Sequence, residues 1–222
     1  MTQEVPRLFV ASDLEGTLSN GVTWEAMRSY LLKEGQEAVY KRFFRRMLPG
    51  YLLYKARLVE ERRFKERWIL EMLRLFAGYA SEQFHDLSQW VVEEELWPKR
   101  RQIVVDELLA HQANGRFVVI LSGMFQPMLD LFAAKIGVKG VGTAVSFEDG
   151  HFTGEIVGQL NVGAQKAATL QALMNGGQLL AAYGDTHRDI PMLEMAQEPV
   201  AVYPDARLRK TAASRGWRMI TD

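Results

Sequence analysis

Two pairs of carboxylates stand where a catalytic site could form. Asp13 and Glu15 lie two residues apart directly after a short apolar run, and Asp185 and Asp189 lie four residues apart after another. A carboxylate can attack phosphorus to give an acyl phosphate that water later hydrolyses, and a second carboxylate can protonate the leaving oxygen and activate that water. Residues four apart meet around one helical turn, and oxygen-only ligands suit Mg²⁺. The pairs therefore indicate a nucleophile with its acid and base, and a Mg²⁺ site; ordinary acidic turns are the alternative.

Groups that could bind phosphate occur between the two pairs. Ser122 and Gly123 follow an apolar run, and a hydroxyl beside an unhindered backbone N–H is a natural phosphate ligand, especially where the next helix presents its positive end. Lys166, early in a predicted helix, could hold the phosphate and offset charge that accumulates on the nucleophile. Taken singly, the serine also fits a helix N-cap, and the lysine fits solvated surface.

The elements that would position these residues are strands alternating with helices. Three apolar runs, residues 8–11, 117–121 and 179–183, each end at a polar tip, which is typical of buried parallel strands. Helices are predicted for residues 125–136 and 164–174. This alternation predicts an α/β fold with a parallel sheet, whose ligands bind beyond the carboxyl ends of the strands.

Three other segments complete the predicted architecture. Residues 24–96 lack strand-like runs and have roughly helical spacing, so they are predicted to form a helical insertion. Pro98 is predicted to open the next helix of the core, which runs to about residue 114. Residues 144–158 contain two short alternating segments around an acidic turn with glycine, which is typical of a β-hairpin.

The insertion contains a basic and apolar stretch. Residues 41–68 have ten Lys or Arg against three Glu. We expect a helical cap that buries the neighbouring apolar side chains against itself and the core while its basic face is solvated. The alternatives are attraction of an anionic or amphiphilic phosphate ester, peripheral membrane contact and a dimer interface. The apolar side chains are Phe43, Phe44, Met47, Leu48, Tyr51, Leu52, Leu53 and Tyr54.

Composition limits the function classes. Among 222 residues, 27 Lys and Arg balance 27 Asp and Glu, so no overall charge favours a nucleic-acid partner. Cysteine is absent, which excludes disulfides, thiolate metal sites and cysteine nucleophiles and suits the cytoplasm. The apolar run near the N-terminus is too short for a secretory signal or a membrane span, so we expect a soluble cytoplasmic protein.

Taken in order, the motifs resemble those of haloacid dehalogenase superfamily phosphatases. The matching segments are Asp13-Leu14-Glu15-Gly16-Thr17, Ser122, Lys166 and Gly184-Asp185-Thr186 with Asp189. The helical segment is similar to the cap of the phosphoserine-phosphatase-like branch. The resemblance implies a Rossmann-like parallel sheet in a core of residues 1–20 and 97–222, with a helical cap of residues 21–96 inserted after the first strand.

The resemblance also implies an activity and a set of roles. The chain would be a Mg²⁺-dependent phosphomonoester hydrolase that acts through an aspartyl-phosphate on a small phosphorylated metabolite, with phosphoserine as one candidate. Asp13 would be the nucleophile and Glu15 the general acid and base. The phosphate ligands would be Ser122, the Gly123 N–H and Lys166, and the metal ligands would be Asp13, the Glu15 carbonyl, Asp185 and Asp189.

Two departures from the family's pattern bear on rate and substrate. Glu15 stands where most members have Asp, and its longer arm could alter the acid and base geometry. Met124 occupies a position where phosphoserine phosphatases typically have glycine. The cap glutamate that binds the substrate amine there has no clear match, because Val22 lies near the expected place and Glu25 is offset. Two further functions stay open: phosphotransfer or mutase chemistry on the same scaffold, and a non-catalytic module that binds a phosphate ester.

Overall fold

Eight strands organise the molecule, whose computed structural model describes residues 7–221. Six form one parallel sheet in the order β3-β2-β1-β6-β7-β8, and β4 and β5 form a separate antiparallel hairpin. The α/β fold with a parallel sheet is therefore confirmed. The predicted core ranges also include residues 1–6 and 222, which lie outside the described residues. In chain order the strands are β1 (Leu8–Ser12), β2 (Phe117–Phe125), β3 (Lys139–Thr143), β4 (Val145–Glu148), β5 (His151–Ile156), β6 (Gln178–Gly184), β7 (Glu198–Val202) and β8 (Arg218–Ile220).

The helices fall into two groups along the chain. The first four lie between β1 and the helix that precedes β2, in the stretch predicted to be helical, and the others alternate with strands. In the part of the chain that the structure describes, no helix has the length and apolar character needed to span a bilayer. The helices are α1 (Thr23–Lys33), α2 (Glu37–Lys55), α3 (Glu61–Leu73), α4 (Ser81–Trp90), α5 (Gln102–Ala113), α6 (Gln126–Ile136), α7 (Ala164–Met174), α8 (Ile190–Leu193) and α9 (Ala206–Arg215).

Strand β1 lies between β2 and β6 inside the sheet, and both of its faces are apolar. Successive strand residues point to opposite faces, so Phe9 and Ala11 pack in one apolar cluster while Val10 packs in the other. Its last residue, Ser12, is paired with Ile120 of β2 and Tyr183 of β6. The carboxyl ends of these three strands therefore meet at one edge of the sheet, where a ligand of such a fold is expected to bind.

The helical segment between β1 and α5 shares its apolar core with the sheet. Phe76 and Leu87 from this segment belong to the same buried cluster as Val10, Ile120 and Tyr183 from three strands. Helix α6 mediates part of this packing, because it contacts both β2 and α4. The segment is thus joined to the sheet through a continuous buried surface rather than through the connecting chain alone.

Two predictions about this segment and its end are wrong. Pro98 does not open a core helix: it lies in the turn after a π-helical stretch, Val91–Leu96, and α5 starts only at Gln102. The intervening chain is held in extended pairing, because Arg100 forms a bridge with Ser19. The second wrong prediction is that the segment buries the apolar side chains of the basic stretch. Phe43 and Met47 of α2 are buried, but Phe44, Leu52 and Leu53 are exposed.

The predicted hairpin is confirmed, and its turn explains its position. Asp149 and Gly150 join β4 to β5, and both have positive φ angles of 48° and 76°. Two consecutive residues with positive φ form the turn whose twist matches paired antiparallel strands, and Asp-Gly is a favoured sequence for it. The hairpin packs Phe152 into the cluster shared with the helical segment.

Candidate active site

Asp13 is placed at the sheet edge by the backbone of β1 and β6. Its N–H donates to the carbonyl of Tyr183 at 2.9 Å, which continues the ladder between the two strands by one residue. The Ser12 hydroxyl donates to the Asp13 carbonyl at 2.7 Å. The residue is only 6% exposed, so its carboxylate is oriented by buried structure on the side where ligands of a parallel sheet bind.

Lys166 brings a cation from α7 to this carboxylate. The side chain is buried, and Nζ lies 2.7 Å from Asp13 Oδ1 and 2.7 Å from Asp189 Oδ1. The alternative interpretation of Lys166 as a solvated surface lysine is therefore wrong. Removal of either carboxylate partner of this buried ammonium would be costly, because it would leave buried charge without compensation.

Asp185 and Asp189 complete a cluster of three acids. Carboxylate oxygens of Asp13, Asp185 and Asp189 all lie within 4.8 Å of one another. Asp189 is held by the Thr186 hydroxyl at 3.0 Å and the Thr186 N–H at 3.2 Å, both on Oδ2. The four residues from the first, third and fourth motifs are thus together in one buried place, although 153 residues separate Asp13 from Lys166.

Gly16 lets the first motif pass directly over Asp185. A Cβ at this position would lie 2.0 Å from Asp185 Oδ2, and the φ angle of +92° is one that other residues rarely adopt. The Thr17 hydroxyl lies 3.4 Å from both Asp13 Oδ2 and Asp185 Oδ1. The loop after β1 and the loop after β6 therefore contact each other at the acid cluster.

The electrostatics of the cluster show a shortage of positive charge. Burial raises the pKa of Asp13 to about 6, with Lys166 opposing the rise. Burial, followed by the charges of Asp13 and Asp189, raises the pKa of Asp185 to about 9. Burial alone would lower the pKa of Lys166, but the two carboxylates outweigh it and raise that pKa well above its ordinary value. One ammonium is thus not enough to stabilise three ionised acids.

The donor set fits a divalent cation. Three carboxylates and one ammonium have a net charge of minus two when all are ionised, which a divalent ion would balance. All the available ligand atoms are oxygens, and hard cations such as Mg²⁺ prefer oxygen ligands. Asp185 is the member of the cluster with the least hydrogen bonding, since only Thr17 contacts its side chain among the described residues.

Ser122 and Gly123 lie on the neighbouring strand but are not joined to the acid cluster. Strand β2 continues through both residues to Phe125, and α6 begins at Gln126, within one residue of the predicted start at 125. Ser122 is buried, and its hydroxyl accepts from the Met124 N–H at 3.2 Å. A Cβ on Gly123 would lie 2.5 Å from Val162 Cγ1. The Thr143 hydroxyl at the end of β3 donates to the Gly123 carbonyl at 2.9 Å. The pair is therefore placed at the same sheet edge and contacts its own strand, β3 and residues before α7.

The Glu15 carboxylate is directed toward the helical segment. Its Oε1 accepts the Thr23 N–H at 2.7 Å, at the start of α1, and it is not part of the acid cluster. Burial raises the pKa of Glu15, and the bond from Thr23 opposes the rise. The longer arm of Glu, noted as a departure, thus connects the loop after β1 to the first helix of the inserted segment.

Asp205 is a supporting residue that sequence reasoning did not assign. Its Oδ2 accepts the His187 N–H at 3.0 Å and lies 2.8 Å from His187 Nδ1, while its own N–H donates to the Asp185 carbonyl at 2.8 Å. Its Oδ1 accepts the Leu208 N–H at 2.7 Å and so caps α9. An acidic residue just before a helix is a recognisable capping signal, but the second contact is visible only in three dimensions.

These features define a class of protein: a parallel α/β scaffold for phosphoryl transfer, with an aspartate at the end of its central strand beside a lysine and two further acids. A family model described as haloacid dehalogenase-like hydrolase matches residues 10–194. The chain therefore belongs to the haloacid dehalogenase-like hydrolases.

Similar proteins agree with this assignment. A histidinol-phosphatase from Neisseria meningitidis serogroup C (strain 8013) is 29% identical over 228 residues, which cover 94% of this chain and 96% of the relative. Phosphoserine phosphatase SerB1 from Mycobacterium tuberculosis (strain ATCC 25618 / H37Rv) is 32% identical over 134 residues, which cover 58% of this chain and 42% of the relative. A crystal structure of an apo phosphoserine phosphatase has a TM-score of 0.62 and 17% identity, and covers 92% of this chain and 90% of that one. With the family match, these findings indicate that the chain is a phosphatase.

Proposed function

We propose that this phosphatase is a Mg²⁺-dependent phosphomonoesterase that acts through an aspartyl-phosphate on Asp13. The observation that carries the proposal is the position of Lys166, whose Nζ lies 2.7 Å from both Asp13 and Asp189 in a buried site. The buried ammonium bridges the carboxylate at the strand end and a second acid, so it favours the ionised form of the nucleophile and fixes its direction. Positioning and charge neutralisation are the main sources of catalysis in phosphoryl transfer.

The proposed reaction has two displacements at phosphorus. In the first, an Asp13 oxygen forms a bond to phosphorus, the bond to the ester oxygen breaks, and Glu15 gives its proton to that leaving oxygen. In the second, Glu15 takes a proton from water, the water oxygen bonds to phosphorus, and phosphate leaves the regenerated Asp13 carboxylate. The raised pKa of Glu15 favours the protonated form that the first step requires.

The residues that would hold Mg²⁺ are Asp13, Asp185 and Asp189, with the Glu15 carbonyl as a further oxygen ligand. When bound, the ion would neutralise charge on the phosphoryl oxygens and on the acids around them. The Lys166 ammonium would neutralise part of the same negative charge. Ser122 and the Gly123 N–H, at the end of the neighbouring strand, are the proposed phosphate ligands on the other side.

We further propose that residues 21–96 act as a cap that selects the substrate, with residues 1–20 and 97–222 as the core. The contact between Glu15 and Thr23 supports this division, because it joins the acid and base directly to the first helix of the segment. Histidinol phosphate and phosphoserine, named by two relatives, are both small primary phosphate esters of amino alcohols. They are the first substrates to test.

The decisive experiment measures phosphate release from amino-acid, amino-alcohol, sugar, nucleotide and lipid phosphates, with Mg²⁺ and with EDTA. Asp13→Asn should abolish release, with a loss of at least about 10³-fold, because the amide is not a nucleophile. Asp106→Asn, an exposed aspartate on α5, is the matched control and should keep full activity. Acid-quenched wild-type enzyme should contain an acyl phosphate that hydroxylamine cleaves. Release by Asp13→Asn at the wild-type rate, or release unaffected by EDTA, would contradict the proposal.

A further inference from the structure

The outer side of α2 and the turn that follows it expose large apolar side chains. Leu52, Leu53 and Leu58 are 58%, 45% and 73% exposed, and Phe44 is 36% exposed. Phe44, Leu48 and Leu52 are spaced by four residues, so they form a stripe on one side of the helix, away from the buried Phe43 and Met47. Leu53 is 100° around the helix from Leu52 and lies beside the stripe, and Leu58 lies in the turn that follows. We call the stripe, together with these two exposed leucines, the α2 outer face.

Basic side chains flank the same stripe. At 100° per residue, Lys41, Arg45 and Lys55 fall on the side of α2 that carries the stripe, and Arg57 follows in the turn. Lys41 pairs with Glu37 at 2.9 Å, but Arg45, Lys55 and Arg57 have no ion pair with any described residue. The face therefore combines exposed leucines with uncompensated positive charge.

The charge of the whole chain is unevenly distributed. Formal net charge is zero, yet residues 41–68 hold ten basic and three acidic residues. The rest of the chain must therefore carry an equal excess of negative charge. Such a distribution orients a protein in the field of a charged surface even when its total charge is zero.

We propose that the α2 outer face docks onto an anionic lipid bilayer. A helix face with apolar side chains beside Lys and Arg suits the boundary between headgroups and acyl chains, where leucines enter the apolar layer and cations contact anionic headgroups. A second copy of this chain fits less well, because a twofold interface would bring the same uncompensated cations of both copies together. Interfaces between proteins are also depleted in lysine.

The test is co-sedimentation of the full chain with vesicles of phosphatidylcholine alone or mixed with phosphatidylserine. Binding to the mixed vesicles is expected to be at least about tenfold stronger and to weaken as salt is added. The variant Leu52→Glu/Leu53→Glu/Leu58→Glu should lose about tenfold or more in binding. Ile103→Glu, which is 54% exposed on α5, is the control for an added charge at an exposed apolar position and should bind like wild type.

A second pair of variants tests the charges. Lys55→Gln/Arg57→Gln should weaken binding to the mixed vesicles about tenfold, whereas Arg209→Gln/Lys210→Gln on α9 should not. Phosphate release from a water-soluble ester, measured in parallel, should stay at the wild-type level in all variants, so docking and catalysis are judged separately. Absence of binding to the mixed vesicles would overturn the proposal. Normal binding by the triple-Glu variant would also overturn it. So would a triple-Glu variant whose only change is from dimer to monomer in sedimentation velocity.

Discussion

Glu15 illustrates how a single side chain can link two parts of the site. Its carboxylate is placed two residues after the proposed nucleophile and accepts the backbone N–H of Thr23 at 2.7 Å. If it donates the proton to the leaving oxygen, its importance should depend on how strongly that oxygen needs protonation. An alkyl alkoxide needs a proton to leave, whereas nitrophenolate is stable without one.

We therefore expect Glu15→Gln to lower kcat by about 10²–10⁴-fold on an alkyl phosphate and far less on p-nitrophenyl phosphate. Steady-state kinetics on both substrates measure the difference, and Glu25→Gln, exposed on α1, is the control. Glu15→Asp should recover part of the rate, because the acid is kept although the bond to Thr23 is lost. An equal loss on both esters would show that Glu15 does not act as the proton donor.

The end of β7 and the start of α9 form one structural element that supports the loop of Asp185 and Asp189. Asp205 caps α9 and binds His187, and its N–H donates to the Asp185 carbonyl. Asp205→Ala should reduce the free energy of unfolding by about 1–2 kcal/mol through the lost helix cap. It should also raise the Mg²⁺ concentration needed for half-maximal activity, because His187, in the loop between Asp185 and Asp189, loses both of its contacts with the Asp205 carboxylate. Chemical denaturation and Mg²⁺ titration measure the two effects.

Glu60→Ala provides a control for this prediction. Glu60 occupies the equivalent position before α3, but its side chain makes no capping hydrogen bond, so both quantities should remain near wild type. If Asp205→Ala changed stability without changing the Mg²⁺ dependence, its contact with the loop of Asp185 and Asp189 would be structural only.

Some elements could be predicted from the sequence because local pattern and tertiary role agree there. The apolar runs of β1, β2 and β6 are buried on both faces, and α7 has the predicted bounds, Ala164–Met174. The predicted helix start at Pro98 is wrong because the local preference of proline for that position is outweighed by the pairing of Arg100 with Ser19. The roles of Thr17 and Asp205 were missed because they depend on contacts across 168 and 18 residues. Local spacing contains no signal for such contacts.

At the scale of the whole molecule, a buried polar network joins α5 to the central sheet. Arg116 Nη1 donates to His111 Nδ1 at 2.5 Å, and His111 Nε2 lies 2.9 Å from the Tyr183 hydroxyl, which donates to Glu107 at 2.8 Å. Since arginine cannot accept a hydrogen bond, His111 is neutral with its proton on Nε2. Burial, followed by the Arg116 charge, lowers the pKa of His111 below the ordinary value of 6.5.

This network predicts a loss of stability in mild acid. As pH falls below about 6.5, the unfolded chain binds a proton at residue 111 that the folded chain does not, so the free energy of unfolding falls with pH. Denaturant unfolding between about pH 7.5 and 5 should show this slope, and His111→Gln should make it shallower. His85→Gln, exposed on α4, should leave the slope unchanged. An unchanged slope in His111→Gln would mean that other groups dominate the acid response.

The apolar cluster shared by the inserted helices and the sheet has a consequence for how such enzymes diversify. Phe76 and Leu87 belong to the same buried cluster as side chains of β1, β2 and β6, so the boundary between the segment and the sheet is part of the protein interior. A segment taken from another phosphatase would bring mismatched shapes into that interior and leave voids or clashes. If the segment selects the substrate as proposed, new substrate preferences are reached more readily by point substitutions within it than by recombination that replaces it.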